Sequence, residues 1–109
     1  MDTVTISDAR QFSLQGVQKN DLLHSDSLHI QLFCFEAGQR DEEVRSEKPR
    51  VYQGLEGEAL VRGRENSDGK SEASVRLGKG KLLHVPANTA HTLENAGGGL
   101  LVLLATRAL

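Results

Sequence analysis

Wherever a hydrophobic period is visible in this 109-residue chain, the period is two. From Leu28 to Phe35, Leu28, Ile30, Leu32 and Cys34 fall on one side and His29, Gln31, Phe33 and Phe35 on the other, as in a strand buried on most of both faces. Glu58 to Arg64 sets Ala59, Val61 and Gly63 against Glu58, Leu60, Arg62 and Arg64, and Glu72 to Leu77 sets Ala73, Val75 and Leu77 against Glu72, Ser74 and Arg76. Each of these two reads as a strand with one wetter face. Between them Glu65-Asn66-Ser67-Asp68-Gly69-Lys70 carries an Asp-Gly step, which supplies the positive φ of a hairpin turn. Further turn signals recur at Ala37-Gly38, Gly54, Gly57, Gly78-Lys79-Gly80, Pro86-Ala87-Asn88 and Gly97-Gly98-Gly99. A spacing of roughly 8–12 residues between such signals predicts a sandwich or barrel. No long segment carries a helical stripe; Asp8 to Gln11 is at most a turn, and Leu100 to Thr106 is a buried strand. The fold class is all-β.

Composition limits what such a chain does. Eleven glycines against two prolines fit turns rather than disorder, and with four aromatic residues and no Trp the core must be aliphatic. Thirteen basic residues against fifteen acidic ones, with no basic block, leave nucleic acid no electrostatic footprint. The longest apolar run, Leu100 to Ala105, is far shorter than the roughly 20 residues of a membrane span. Met1-Asp2-Thr3-Val4 lacks the basic start of a secretory leader, and Cys34, the only cysteine, allows no intrachain disulfide. Both features point to the cytoplasm. A chain of this length is expected to form one domain over residues 1–109, with a barrel core at about 25–106 behind an N-terminal strand and approach segment at 1–24. A domain this small buries only about 65% of its chain surface, so self-association is expected.

One stretch carries a family signature. Gly80, Pro86, Asn88, His91 and Asn95 reproduce Gly, five residues, Pro, one residue, Gly, two residues, His, three residues, Asn, with Asn88 at the second Gly. Asn is the commonest non-Gly residue at positive φ. The stretch resembles the second signature of the cupin superfamily. Gly38, the apolar strand before it and Tyr52-Gln53-Gly54-Leu55-Glu56-Gly57-Glu58 resemble the first, so the resemblance spans about residues 25–106. It implies a small antiparallel β-barrel or jelly roll. It also implies a homodimer formed by pairing or exchange of edge strands, for which Val4 to Ile6 is the candidate strand.

The departures from the family pattern carry the functional expectation. Counted from Gly38, the His, His and Glu ligand positions of metal-dependent cupins are Val44, Ser46 and Arg50, or Val51 at the longer spacing; only His91 keeps a ligating side chain. One imidazole binds a divalent ion weakly, and a guanidinium offers no lone pair and repels cations. Asp41, Glu42, Glu43 and Glu47 flank the missing positions, and whether Glu43 or Glu47 substitutes as a ligand is open. Arg50 either faces the pocket or pairs with Glu47, Glu56 or Glu58. His91 is either a base at the barrel mouth or a relic held by a backbone carbonyl or Asn95. Tyr52 shares the face of Arg50. His29 and His84 join a site only if they share the interior with His91; His24 is given no role, and Cys34 reads as a small hydrophobe.

These residues lead to a metal-free cupin that uses no cofactor and binds a small anionic molecule through Ser46, Arg50, Tyr52 and His91. Two alternatives stay open: a metal-dependent enzyme of dioxygenase or isomerase type with atypical ligands, and a structural module with a vestigial pocket.

Overall fold

The computed structural model describes residues 1–43, 45–64 and 72–109; Val44 and the 65–70 hairpin turn lie outside the described residues. Nine strands follow one another: β1 (Gln18–His24), β2 (Leu28–Phe35), β3 (Arg40–Glu43), β4 (Arg50–Glu56), β5 (Glu58–Arg64), β6 (Glu72–Gly78), β7 (Leu82–Val85), β8 (His91–Asn95) and β9 (Leu101–Ala108). They form two antiparallel sheets, one in the order β1-β2-β9-β4-β7 and the other β3-β8-β5-β6. The all-β expectation is met. The strands expected at 28–35 and 58–64 are β2 and β5, and β5 pairs β6 from Glu58↔Gly78 to Arg64↔Glu72, as a hairpin requires.

The period-two pattern decides what each sheet buries. Phe33 and Phe35 of β2, Tyr52 of β4, Ala59 and Val61 of β5, Leu77 of β6, Val85 of β7, Leu93 of β8 and Leu101, Leu103 and Ala105 of β9 meet between the sheets as one core. Only alternate residues of each strand reach this space, because successive side chains leave a strand on opposite sides. The opposite face of the five-stranded sheet has a second, smaller core of Leu32, Cys34 and Val102 under Ala9, Phe12, Leu22, Leu55 and Leu104. This explains why β2 is apolar on both sides.

The N-terminus departs from expectation. Val4 to Ile6 forms no strand; Ile6–Ala9 is a single 3-10 turn, with Val4 and Ile6 exposed. The first strand is instead β1, a polar edge strand whose sequence Gln-Lys-Asn-Asp-Leu-Leu-His hides its period behind a bulge between Asp21 and Leu23.

Two glycines tie the sheets together. A Cβ on Gly54 would overlap the carbonyl oxygen of Gly78, where β4 runs against the end of β6. Gly57, at φ +77, turns the chain from β4 into β5, with the Leu100 carbonyl where its Cβ would stand. Asn88, at the signature's second Gly, has φ 61. Among the described residues no helix is long and apolar enough to cross a membrane.

Candidate functional site at the barrel mouth

His91 opens β8 and faces inward; it is buried, with both ring nitrogens engaged by the chain itself. Nδ1 lies 3.0 Å from the carbonyl oxygen of Thr89, and Nε2 lies 2.7 Å from the Tyr52 hydroxyl. A carbonyl only accepts, so Nδ1 carries the proton, and Nε2 accepts from the Tyr52 O–H. In this tautomer the second nitrogen's lone pair is covered by a phenol. Tyr52 is fully buried, edge-on to both His91 and Phe33. Asn95 does not hold His91: its amide nitrogen donates to the carbonyls of Glu36 and Gly99, and its oxygen accepts from Gly97 N–H. This asparagine secures the closed end of the barrel.

Arg50 stands two residues before Tyr52, half-buried on the same inner face of β4. Two of the carboxylates proposed for it are bound elsewhere, Glu56 to Arg10 at 2.9 Å and Glu58 to Arg76 at 2.6 Å. Among the described residues no hydrogen bond brings Ser46 to His91. It belongs to the β3–β4 connection, where its carbonyl accepts from Asn88 N–H at 2.6 Å and its Oγ accepts from Lys48 N–H at 3.2 Å. Glu47 is exposed, and Glu43 is aligned with His91 in the β3–β8 register. His84 points outward from β7 and is exposed.

From the sequence His29 is conditional and His24 without a role, and Arg107 is not singled out; the structure joins them. His24, His29, Arg107, Arg50 and Val85 are successive cross-strand neighbours and form one row across the five-stranded sheet at the His91 end. His29 is buried on the face of Phe33, and Arg107 continues the inward series Leu101, Leu103, Ala105. Arg107 Nη2 lies 3.1 Å from His29 Nδ1, and His29 Nε2 lies 2.8 Å from Asp21 Oδ1. Because the guanidinium only donates, Nδ1 is the acceptor and Nε2–H donates to Asp21. Gln31 donates to the same carboxylate oxygen at 3.1 Å. The His29 hydrogen bond, then that of Gln31, holds the Asp21 carboxyl below its ordinary pKa. His24 stacks on His29 with ring centroids 4.2 Å apart. The alternation within β2 and β9 was the signal for this row.

Neither group of residues fits a metal. At the family's ligand positions, Ser46 is tied to its own loop, Arg50 is a cation, and the lone pair of His91 is taken by Tyr52. Asp21, His24 and His29 do bring ligand atoms within 4.8 Å of one another. There, however, Arg107 fixes the wrong tautomer: ligation through Nε2 would put the His29 proton on Nδ1, against another donor. Metal-bound imidazoles show the opposite arrangement, an acceptor at the second nitrogen.

A two-sheet antiparallel barrel closed by the Gly80–Asn95 signature, with its polar groups gathered at one end, is the double-stranded β-helix of the cupins, and the chain is a cupin-superfamily protein. It is similar to an RmlC-like cupin from Desulfovibrio desulfuricans, at 25% identity over 99% of this chain and 96% of that one, TM-score 0.78. A cupin superfamily protein from Desulfitobacterium hafniense is 26% identical over 85% of this chain and 77% of the other, TM-score 0.71. Drosophila melanogaster CENP-C, in its complex with CAL1, shares the fold at 15% identity over 96% of this chain and 84% of that one, TM-score 0.81. The sequence matches no described protein-family profile and no curated protein.

Proposed function

We propose that this chain is a metal-independent cupin that binds a small anionic molecule at the mouth of its barrel, within a single domain spanning residues 1–109. The observation that carries this reading is the exchange of donors for cations: the surviving family histidine is consumed by Tyr52 and Thr89, while Arg50 and Arg107 stand side by side on the inner face. A convergent set of polar groups above an apolar lining is the ordinary make-up of a small-molecule site. Of the four residues proposed to bind the ligand, Arg50 provides charge at the mouth. Tyr52 and His91 form the polar floor, and Ser46 is assigned with them from its position in the first signature. No reaction is assigned to them, since the imidazole and phenol are already hydrogen-bonded to each other.

The test is thermal denaturation across a panel of carboxylates, phosphates and sugars. A ligand at one hundred times its Kd adds about 2.7 kcal/mol, which in a domain of this size raises Tm by roughly ten degrees or more. No shift anywhere in the panel would sink the proposal. Elemental analysis is expected to find less than about 0.1 transition-metal ion per chain. One ion per chain would instead restore the metal-dependent enzyme.

A protein-binding module is the second reading, favoured by the way Phe33, Phe35, Tyr52, Leu93 and Leu103 fill the space below the mouth. CENP-C bound to CAL1 shows that a protein of this fold engages a protein partner. Pairing of two copies is part of the proposal. Val51 and Leu82 expose apolar surface on the outer side of β4 and β7, and light scattering is expected to give about twice the mass of one chain. The buried single thiol of Cys34 suits a cytoplasmic setting.

A further inference from the structure

We propose that Arg107 is the seat of the anion: its guanidinium receives an oxyanion group, carboxylate or phosphate, and His29 with Asp21 holds it in position to do so. The inference rests on the anion-binding reading above and adds the atoms that perform it.

Arg107 lies at the inner rim of β9, one pleat beyond Ala105, with Arg50 as its register neighbour on β4 and His29 on β2. Its one side-chain hydrogen bond among the described residues runs from Nη2 to Nδ1 of His29. No carboxylate forms an ion pair with it there; Asp21 is one imidazole away. Its Nε is shielded from water and meets no acceptor among the described residues. Nε, out of reach of water, is equally out of reach of an oxyanion, so the anion is received on the Nη edge of the guanidinium, where it neutralises a charge that no carboxylate pairs among the described residues. Arginine suits this role because its planar fork offers several N–H donors at fixed angles to one acceptor group.

The Asp21–His29 pair explains why the seat is preformed. Asp21 accepts from His29 Nε2–H, which leaves Nδ1 as an acceptor turned toward Arg107. A direct Asp21–Arg107 ion pair would have neutralised the guanidinium; the intervening imidazole orients it and leaves its charge for a ligand. Arg107 is thus the binding residue, and His29 and Asp21 are positioning residues.

The direct test is nuclear magnetic resonance of the arginine Nε–Hε groups in 15N-labelled protein, with Arg107 assigned through bonds, during titration with inorganic phosphate and, separately, with succinate. The Arg107 Hε resonance is expected to move saturably with at least one of the two, and which one moves it tells phosphate from carboxylate. By calorimetry, Arg107→Lys, which keeps the charge and loses the planar fork of N–H donors, is expected to weaken that ligand at least tenfold. Because the resonance is read in the unmodified protein, the test stands even if the variant does not fold. If an anion binds, the Arg107 resonance stays fixed and Arg107→Lys binds equally, the seat is wrong while the anion-binding reading survives. If neither these probes nor any anion of the thermal panel binds, both fall.

Discussion

Tyr52 and His91 illustrate how one hydroxyl redirects a family position. A buried imidazole needs a partner at each nitrogen, and here the second partner is the Tyr52 phenol, 2.7 Å from Nε2. Replacing Tyr52 with Phe leaves that nitrogen dry and unsatisfied. The expected loss is about 1–3 kcal/mol of stability by chemical denaturation, with the fold retained. Asp21 gives a prediction in pH. Its carboxyl is held below the ordinary value of 3.8 in the folded chain by His29 and Gln31, so the stabilisation is present above that value. It is lost as the pH falls through the lower, folded value. Asp21→Asn is therefore expected to flatten the decline of stability below about pH 4, measured as urea midpoints against pH, and an unchanged slope would contradict the assigned bond. At this scale, Arg50, Tyr52 and His91 were legible as a group because two of them sit in signature positions and the third shares a strand face. Their bonding was not, since a hydroxyl 39 positions away in the chain is brought to an imidazole only by the pairing of strands.

Among the elements, β2 shows what alternation conveys. Both of its faces are apolar because one lines the barrel and the other lies under Ala9 and Phe12, and Cys34 belongs to the covered face. Burial pushes the Cys34 thiol up and keeps it from reagents. A thiol reagent is expected to leave the native protein unmodified. Phe12→Ala, which opens this cover, is expected to cost about 2–4 kcal/mol and to make the thiol react at a measurable rate below the unfolding transition. The β4–β6 contact gives a steric prediction: a methyl at Gly54 meets the Gly78 carbonyl, so Gly54→Ala is expected to destabilise by about 2 kcal/mol or more, while Gly98→Ala, in open space, costs far less. The strand expected at Val4 to Ile6 fails for a related reason. Three apolar or β-branched residues satisfy the local pattern, but within one chain they pair with no strand: Ile6 already begins the 3-10 turn, and the expected partner was a second copy.

For the whole molecule, the sheets divide the work. One end is fastened by Asn95 to the Glu36 and Gly99 carbonyls, the middle is filled by aromatic and aliphatic side chains, and His29, Arg107 and Arg50 form their row at the other end. If that end binds an anion, its affinity falls with added salt, since two guanidinium groups contribute charge; calorimetry at rising salt concentration is expected to show this, and a flat dependence would speak against a charged ligand. The sequence by itself determined the strands of clearest alternation, the turns at Gly38, Gly57, Gly80 and Asn88, and the absence of the usual ligands at Ser46 and Arg50, because these depend on side-chain type and local backbone geometry. Only the tertiary structure decided that β2 and β9 pair so as to bring His29 beside Arg107, that β4 sets Arg50 on Arg107's other side, and that Tyr52 covers His91. Those are contacts between residues far apart in the chain, fixed by strand order and register, which local alternation leaves undetermined.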